Sequence, residues 1–247
     1  MKKSLFIITA IMCSLFCHAQ ESQFFEMRQY TVHEGKMQDL VDRFENHTLK
    51  LFEKHGIENV AYFLPLGDNP EYLTFILGYP DRAARDASWA SFGSDPEWNQ
   101  AREASEENGP LVAKVTQTFM NIDKELSPQG VLMLPESGKV FELRTYYMLP
   151  GKVENIHKRF RDHTRKLFEN HGMTNIAYWY TDEKEGNQSR LVYLLAHDSE
   201  EAGKKSFSEF GKDPEWVKVR DDSEKDGKIV EKIESVYFKP LGFSPLK

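Results

Sequence analysis

The chain has 247 residues, 40% hydrophobic and 29% charged, which suffices for one large globular domain or two small ones. Its 39 acidic against 32 basic side chains leave a net charge of −7. Binding to a nucleic-acid backbone needs clustered lysine and arginine, so it is not expected.

The chain opens with Lys2 and Lys3, a short apolar run and the small-residue pattern Cys17-His18-Ala19. This reads as a signal peptide over residues 1–19, with export to the periplasm or the extracellular space. Cys13 and Cys17, the two cysteines, lie in that segment, so no disulfide, thiolate metal site or cysteine nucleophile is expected in the remainder. No later apolar run is long enough to span a bilayer.

"FFEMRQYTV" (residues 24–32) alternates and is aromatic-rich, which predicts a strand. Gly35 turns the chain. From Met37 to His55 the apolar positions follow helical spacing, and Gly56 stops the helix. "NVAYFL" and "EYLTFILGY" predict two more strands. Helices are predicted over 81–92 and 95–107, the latter with Asp95 as N-cap and Pro96 as first helical residue. "LVAKVTQTFMNI" is the last strand of the set.

The same order then recurs. Residues 25–62 align without a gap on 141–178, with 19 of 38 positions identical, and "FGSDPEW" returns as "FGKDPEW". The expected organisation is a first module over 20–122, a Pro- and Gly-containing linker over 123–139 and a second module over 140–247. Each module reads β-α-β-β-α-β, a ferredoxin-like unit with one helix-covered and one open sheet face. Two open faces on one chain cover each other. The expected fold class is α+β, two tandem ferredoxin-like modules forming a pseudo-dimeric α/β barrel.

The paired segments "FEMRQYTVHEGKMQDLVDRFENHTLKLFEKHG" and "FELRTYYMLPGKVENIHKRFRDHTRKLFENHG", with the two "DPEW" helix starts, resemble the NIPSNAP family. The resemblance implies the dimeric α/β-barrel superfamily, which includes small monooxygenases and haem-handling enzymes. It carries no catalytic residues over. Mitochondrial roles of eukaryotic members transfer poorly to a chain with a bacterial-type export signal.

In the first strand Phe25 and Met27 share one face, and Glu26, Arg28 and Tyr30 the other. The second copy repeats this as Phe141 and Leu143 against Glu142, Arg144 and Tyr146. The apolar pairs are expected under the helices and the polar rows in the space between the sheets. Such rows either close the barrel as ion-pair networks or line a cavity for an anionic or phenolic ligand, with arginine as clamp and tyrosine as hydrogen-bond partner.

His47 and His163 sit at the edge of the helical apolar stripe and are the candidate acid–base residues. His55 and His171 read as helix-end residues, and Trp98 and Trp216 as helix anchors. No metal-ligand spacing, phosphate loop or nucleophile elbow is present, so neither metal nor cofactor is expected. Tyr79 against His197 and Val41 against His157 mark places where the copies differ.

Three functions stay open. One is binding of a small ligand in a polar site of the barrel. The second is a cofactor-independent monooxygenase- or isomerase-like enzyme with His47 or His163 as base. The third is a non-catalytic structural or interaction protein. Further homo-oligomerisation is compatible with all three.

Overall fold

The computed structural model describes residues 22–128, 135, 137–183 and 188–247. The expected signal peptide and part of the expected linker lie outside the described residues. The first half runs β1 (Phe24–Val32), α1 (Met37–Arg43), α2 (Leu49–Lys54), β2 (Glu58–Pro65), β3 (Tyr72–Tyr79), α3 (Arg82–Gly93), α4 (Pro96–Ser105) and β4 (Val112–Ile122). The second half repeats it: β5 (Val140–Met148), α5 (Val153–Arg159), α6 (Arg165–Asn170), β6 (Thr174–Thr181), β7 (Leu191–His197), α7 (Glu200–Phe210), α8 (Pro214–Ser223) and β8 (Val230–Pro240).

Local chemistry explains these boundaries. Asp81 and Ser199 accept from the amides of Ala84 and Ala202 and so start α3 and α7. Asp95 caps α4 through the Glu97 amide at 2.8 Å, ahead of Pro96. Gly56 (φ 72°) and Gly172 (φ 76°) take the left-handed turn that ends α2 and α6.

The long helix expected over 37–55 is interrupted. A π-helical turn, Phe44–Thr48, separates α1 from α2, and Phe160–Thr164 repeats it between α5 and α6. The hydroxyls of Thr48 and Thr164 donate to the carbonyls of Arg43 and Arg159, five residues back, at 3.1 Å each. Side-chain capture of those carbonyls suits the wide turn.

The eight strands close a barrel in the order β1-β3-β2-β8-β5-β7-β6-β4, all neighbours antiparallel. Each half supplies four adjacent strands. Two short seams join the halves: Phe63–Pro65 of β2 on β8, and Met120–Ile122 of β4 on β6. Among the described residues, the N-terminal parts of β4 and β8 pair only with β1 and β5. The barrel therefore gapes at that end.

Three apolar clusters hold the molecule together. One fills the barrel and draws on both halves, with Phe25, Phe63, Met120, Phe141, Trp179 and Phe238. Phe63 and Phe141 meet across it with ring centroids 5.1 Å apart. The other two lie between each half's strands and helices.

This packing corrects the expected strand faces. Phe25, Met27, Phe141 and Leu143 point into the barrel. Glu26, Arg28 and Tyr30, with Glu142, Arg144 and Tyr146, lie on the helix side. Period-two alternation separates the rows but does not say which row goes where. The barrel interior is largely apolar, with Phe25, Phe63, Phe141 and Trp179 among its residues, and the charged row goes where helices α3 and α7 bring partners.

Candidate functional site

Each half buries a glutamate under its third long helix. Glu26 is fully enclosed. Arg85 on α3 donates from Nε to Oε2 and from Nη2 to Oε1, both at 2.8 Å. Arg28 Nη1 adds 2.7 Å and Gln117 Nε2 2.9 Å, both to Oε1. The Arg28 guanidinium lies over Trp89, 4.2 Å from the ring centre. Trp89 in turn donates to the Tyr79 hydroxyl at 2.7 Å. Burial, reinforced by Glu26, pushes the Tyr79 phenol well up, so it stays neutral. Tyr30 packs edge-on to Phe75 at 4.9 Å, and burial raises its phenol too.

The second half solves the same problem differently. Glu142 is also fully enclosed, but Gly203 stands where the first half has Arg85. His197 Nε2, at 3.0 Å from Oε2, takes over as partner, with Arg144 and Ser235 each 2.5 Å from Oε1. Burial pushes the Glu142 carboxyl up. The bonds from His197, Arg144 and Ser235 outweigh that and hold it below the usual carboxylate range. Gly203 leaves room for this arrangement, because a Cβ would come within 2.9 Å of the Tyr237 ring end and 3.0 Å of His197, and one of those rings would have to shift. Arg144 lies over Phe207 at 4.1 Å.

The polar rows are thus brought together, half by half, as matched charge clusters between sheet and helices. His47 and His163 are placed elsewhere. Both are exposed on the π-helical turns, lining outer grooves of about 420 and 530 Å3 beside α4 and α8. His55 and His171 hold Asp95 and Asp213 at 2.6 and 2.8 Å, tying helix ends together as expected. The other marked difference, His157, reaches Asp123 at 3.1 Å. Among the described residues no group of three histidine, cysteine or acidic side chains is placed to hold a metal ion, and no helix is long and apolar enough to cross a membrane.

The gaping end of the barrel holds a different site. A cavity of about 220 Å3 is lined from both halves, by Met27, Gln29, Thr74, Thr116 and Thr118 and by Leu143, Thr145, Tyr147, Arg190, Val192, Glu234, Val236 and Phe238. Thr74 is 2% exposed, and its hydroxyl has no hydrogen-bond partner among the described residues. Burying an unpaired hydroxyl is costly, so its place in a cavity wall is informative. At the rim Tyr147 donates to Glu234 at 2.8 Å. Arg190 and Lys232 lie over the Tyr147 ring at 5.4 and 5.2 Å. Arg190 also pairs with Glu183, and Lys232 with Glu234. Lys232 and Tyr147 hold the Glu234 carboxyl below its ordinary range.

The family model described as NIPSNAP matches residues 25–123 and again 141–245. The chain belongs to the NIPSNAP family. No curated protein matches this NIPSNAP chain significantly. Its fold is similar to a candidate monooxygenase from Lactobacillus acidophilus NCFM, with a TM-score of 0.55 at 11% identity, covering 89% of this chain and 94% of that one. A candidate monooxygenase from Fusobacterium nucleatum gives 0.56 at 9% identity, covering 89% and 93%. A NIPSNAP family protein of unknown function from Agrobacterium tumefaciens is 22% identical, over 46% of this chain and 98% of that one, with a TM-score of 0.39.

Sequence reasoning missed Thr74, Tyr147, Arg190 and Glu234 as a group. A signal for them exists. Aligning the two NIPSNAP copies places Thr74 against Val192, Thr31 against Tyr147, Tyr72 against Arg190 and Thr116 against Glu234. Four mismatches within two otherwise similar modules converge on one mouth.

Proposed function

We propose that this NIPSNAP protein binds a small molecule in the mouth of its barrel. The observation that carries the reading is the buried, unpartnered Thr74 hydroxyl in the wall of a cavity built by both halves. A concave site with an apolar floor and a few placed polar groups is the usual form of a small-ligand site. Tyr147, Arg190 and Glu234 frame its entrance. The helix-side glutamate clusters are better read as structural, since their charges are matched within the protein. The start of the chain supports export, so the ligand would be met outside the cytoplasm.

The test is a thermal-shift screen of single-ring compounds against the purified protein and two variants that fill the mouth, Thr116→Phe and Thr145→Trp. Compounds that raise the midpoint of the natural protein are expected to lose that effect in both variants. Shifts that survive both fillings would place binding elsewhere and end the proposal.

A further inference from the structure

The two walls of the mouth are matched positions of the duplicated halves, yet they differ in polarity at Thr74 against Val192 and Thr118 against Val236. Beside Met27, the first half contributes Gln29, Thr74, Thr116 and Thr118, which are three hydroxyls and an amide. The matched positions of the second half are Thr145, Val192, Glu234 and Val236. With Leu143 and Phe238 the second wall is largely apolar below its rim. Threonine hydroxyls both donate and accept, and none of these groups on the first wall is charged.

The charges that are present stand at the rim and are already paired. Glu234 accepts from Tyr147 at 2.8 Å and faces Lys232 at 2.5 Å. Arg190 meets Glu183 at 2.7 Å. A charged ligand would have to break one of these pairs or sit below them unpaired, and a buried unpaired charge is costly. An apolar cavity of about 150 Å3 already holds benzene. A volume of about 220 Å3 therefore suits one substituted ring.

We infer that the mouth selects an uncharged single-ring compound carrying hydroxyl or carbonyl groups along one edge, a phenol or quinone in chemical class. This rests on the reading of the mouth as a ligand site. The ring lies on Val192, Val236 and Phe238, and its polar edge turns to Thr74, Thr116 and Thr118, where the Thr74 hydroxyl gains its missing partner.

The experiment titrates phenol, benzoate and toluene at pH 7 into the natural protein, Thr74→Val and Thr118→Val, following midpoint shifts and ligand-observed NMR, with Thr145→Trp as the filled control. Phenol is expected to bind at least about tenfold more tightly than benzoate. Either valine variant should weaken phenol about tenfold, the loss of one hydrogen bond, and leave toluene unchanged. Having two such variants guards against one that fails to fold. Benzoate binding as tightly as phenol, and lost on filling, would overturn the ligand class and leave the mouth as the site. Binding of none of the three would overturn both.

Discussion

Arg85→Met tests whether the buried glutamate of the first half is held by its arginines. Arg85 makes two 2.8 Å bonds to Glu26, and the carboxylate has no exposed surface. Removing one member of a buried ion pair costs about 3–5 kcal/mol, chiefly because the remaining charge is left short of partners. Arg28 and Gln117 stay, and methionine keeps contact with Trp89 and Phe119, so the lower end, about 3 kcal/mol, is expected. With a urea slope of about 2 kcal/mol/M, the unfolding midpoint should fall by about 1.5 M. Glu26→Gln alone should also destabilise, by leaving Arg28 without its anion and Arg85 with only the exposed Asp86. The double variant is the decisive measurement. It should be less destabilised than the sum of the singles, with a coupling of about 1.5–3 kcal/mol. Additive losses, or a midpoint shift of Arg85→Met below about 0.5 M, would refute the reading of Glu26 as a charge that requires Arg85.

Four further outcomes are expected. Gly203→Ala should cost about 1–3 kcal/mol in urea unfolding, because its Cβ would press on Tyr237 and His197 at 2.9 and 3.0 Å; an unchanged midpoint would contradict that packing. The depressed Glu142 carboxyl contributes stability that is fully present above its unfolded pKa, about 4.3, and lost as pH falls through its lower folded value. Acid unfolding curves should therefore steepen below about pH 4.3, and less so in Glu142→Gln. Thr74→Val should raise the ligand-free stability by up to about 1 kcal/mol, since an isosteric methyl replaces an unpaired hydroxyl; a loss would mean the hydroxyl has a partner. His47→Ala and His163→Ala, both exposed, should each change stability by less than about 0.5 kcal/mol in the same assay.

Much of the architecture was legible because it is written twice. The repeat located β1 and β5, the Asp95 and Asp213 caps, and the glycines that close α2 and α6. Two things were not legible, for different physical reasons. The π-helical turns at Phe44–Thr48 and Phe160–Thr164 shift the helix by one residue per turn, too small a change to disturb an apolar stripe. The Glu-Arg-Tyr row was assigned to the wrong face, because β1 and β5 are covered on both sides once the barrel closes and the helices pack. Arg85, Gln117 and Trp89, which make that burial tolerable, come from elements far along the chain.

The mouth was hidden for a related reason, and its logic inverts the use of the repeat. Identity between the copies marks what the fold needs twice: the helix ends, the aromatic packing and the buried glutamate. Where the copies diverge, the fold has less claim on the residue. Tyr79 and His197 show that divergence alone is not function, since both serve a buried glutamate, one with Arg85 beside it and one with Gly203. Thr74 against Val192 is different in kind. On one wall the hydroxyl is buried and unpaired; on the other a valine of similar shape closes the barrel at no polar cost. That the chain keeps the costly hydroxyl on one wall, opposite an apolar one, is the physical ground for a ligand held between them.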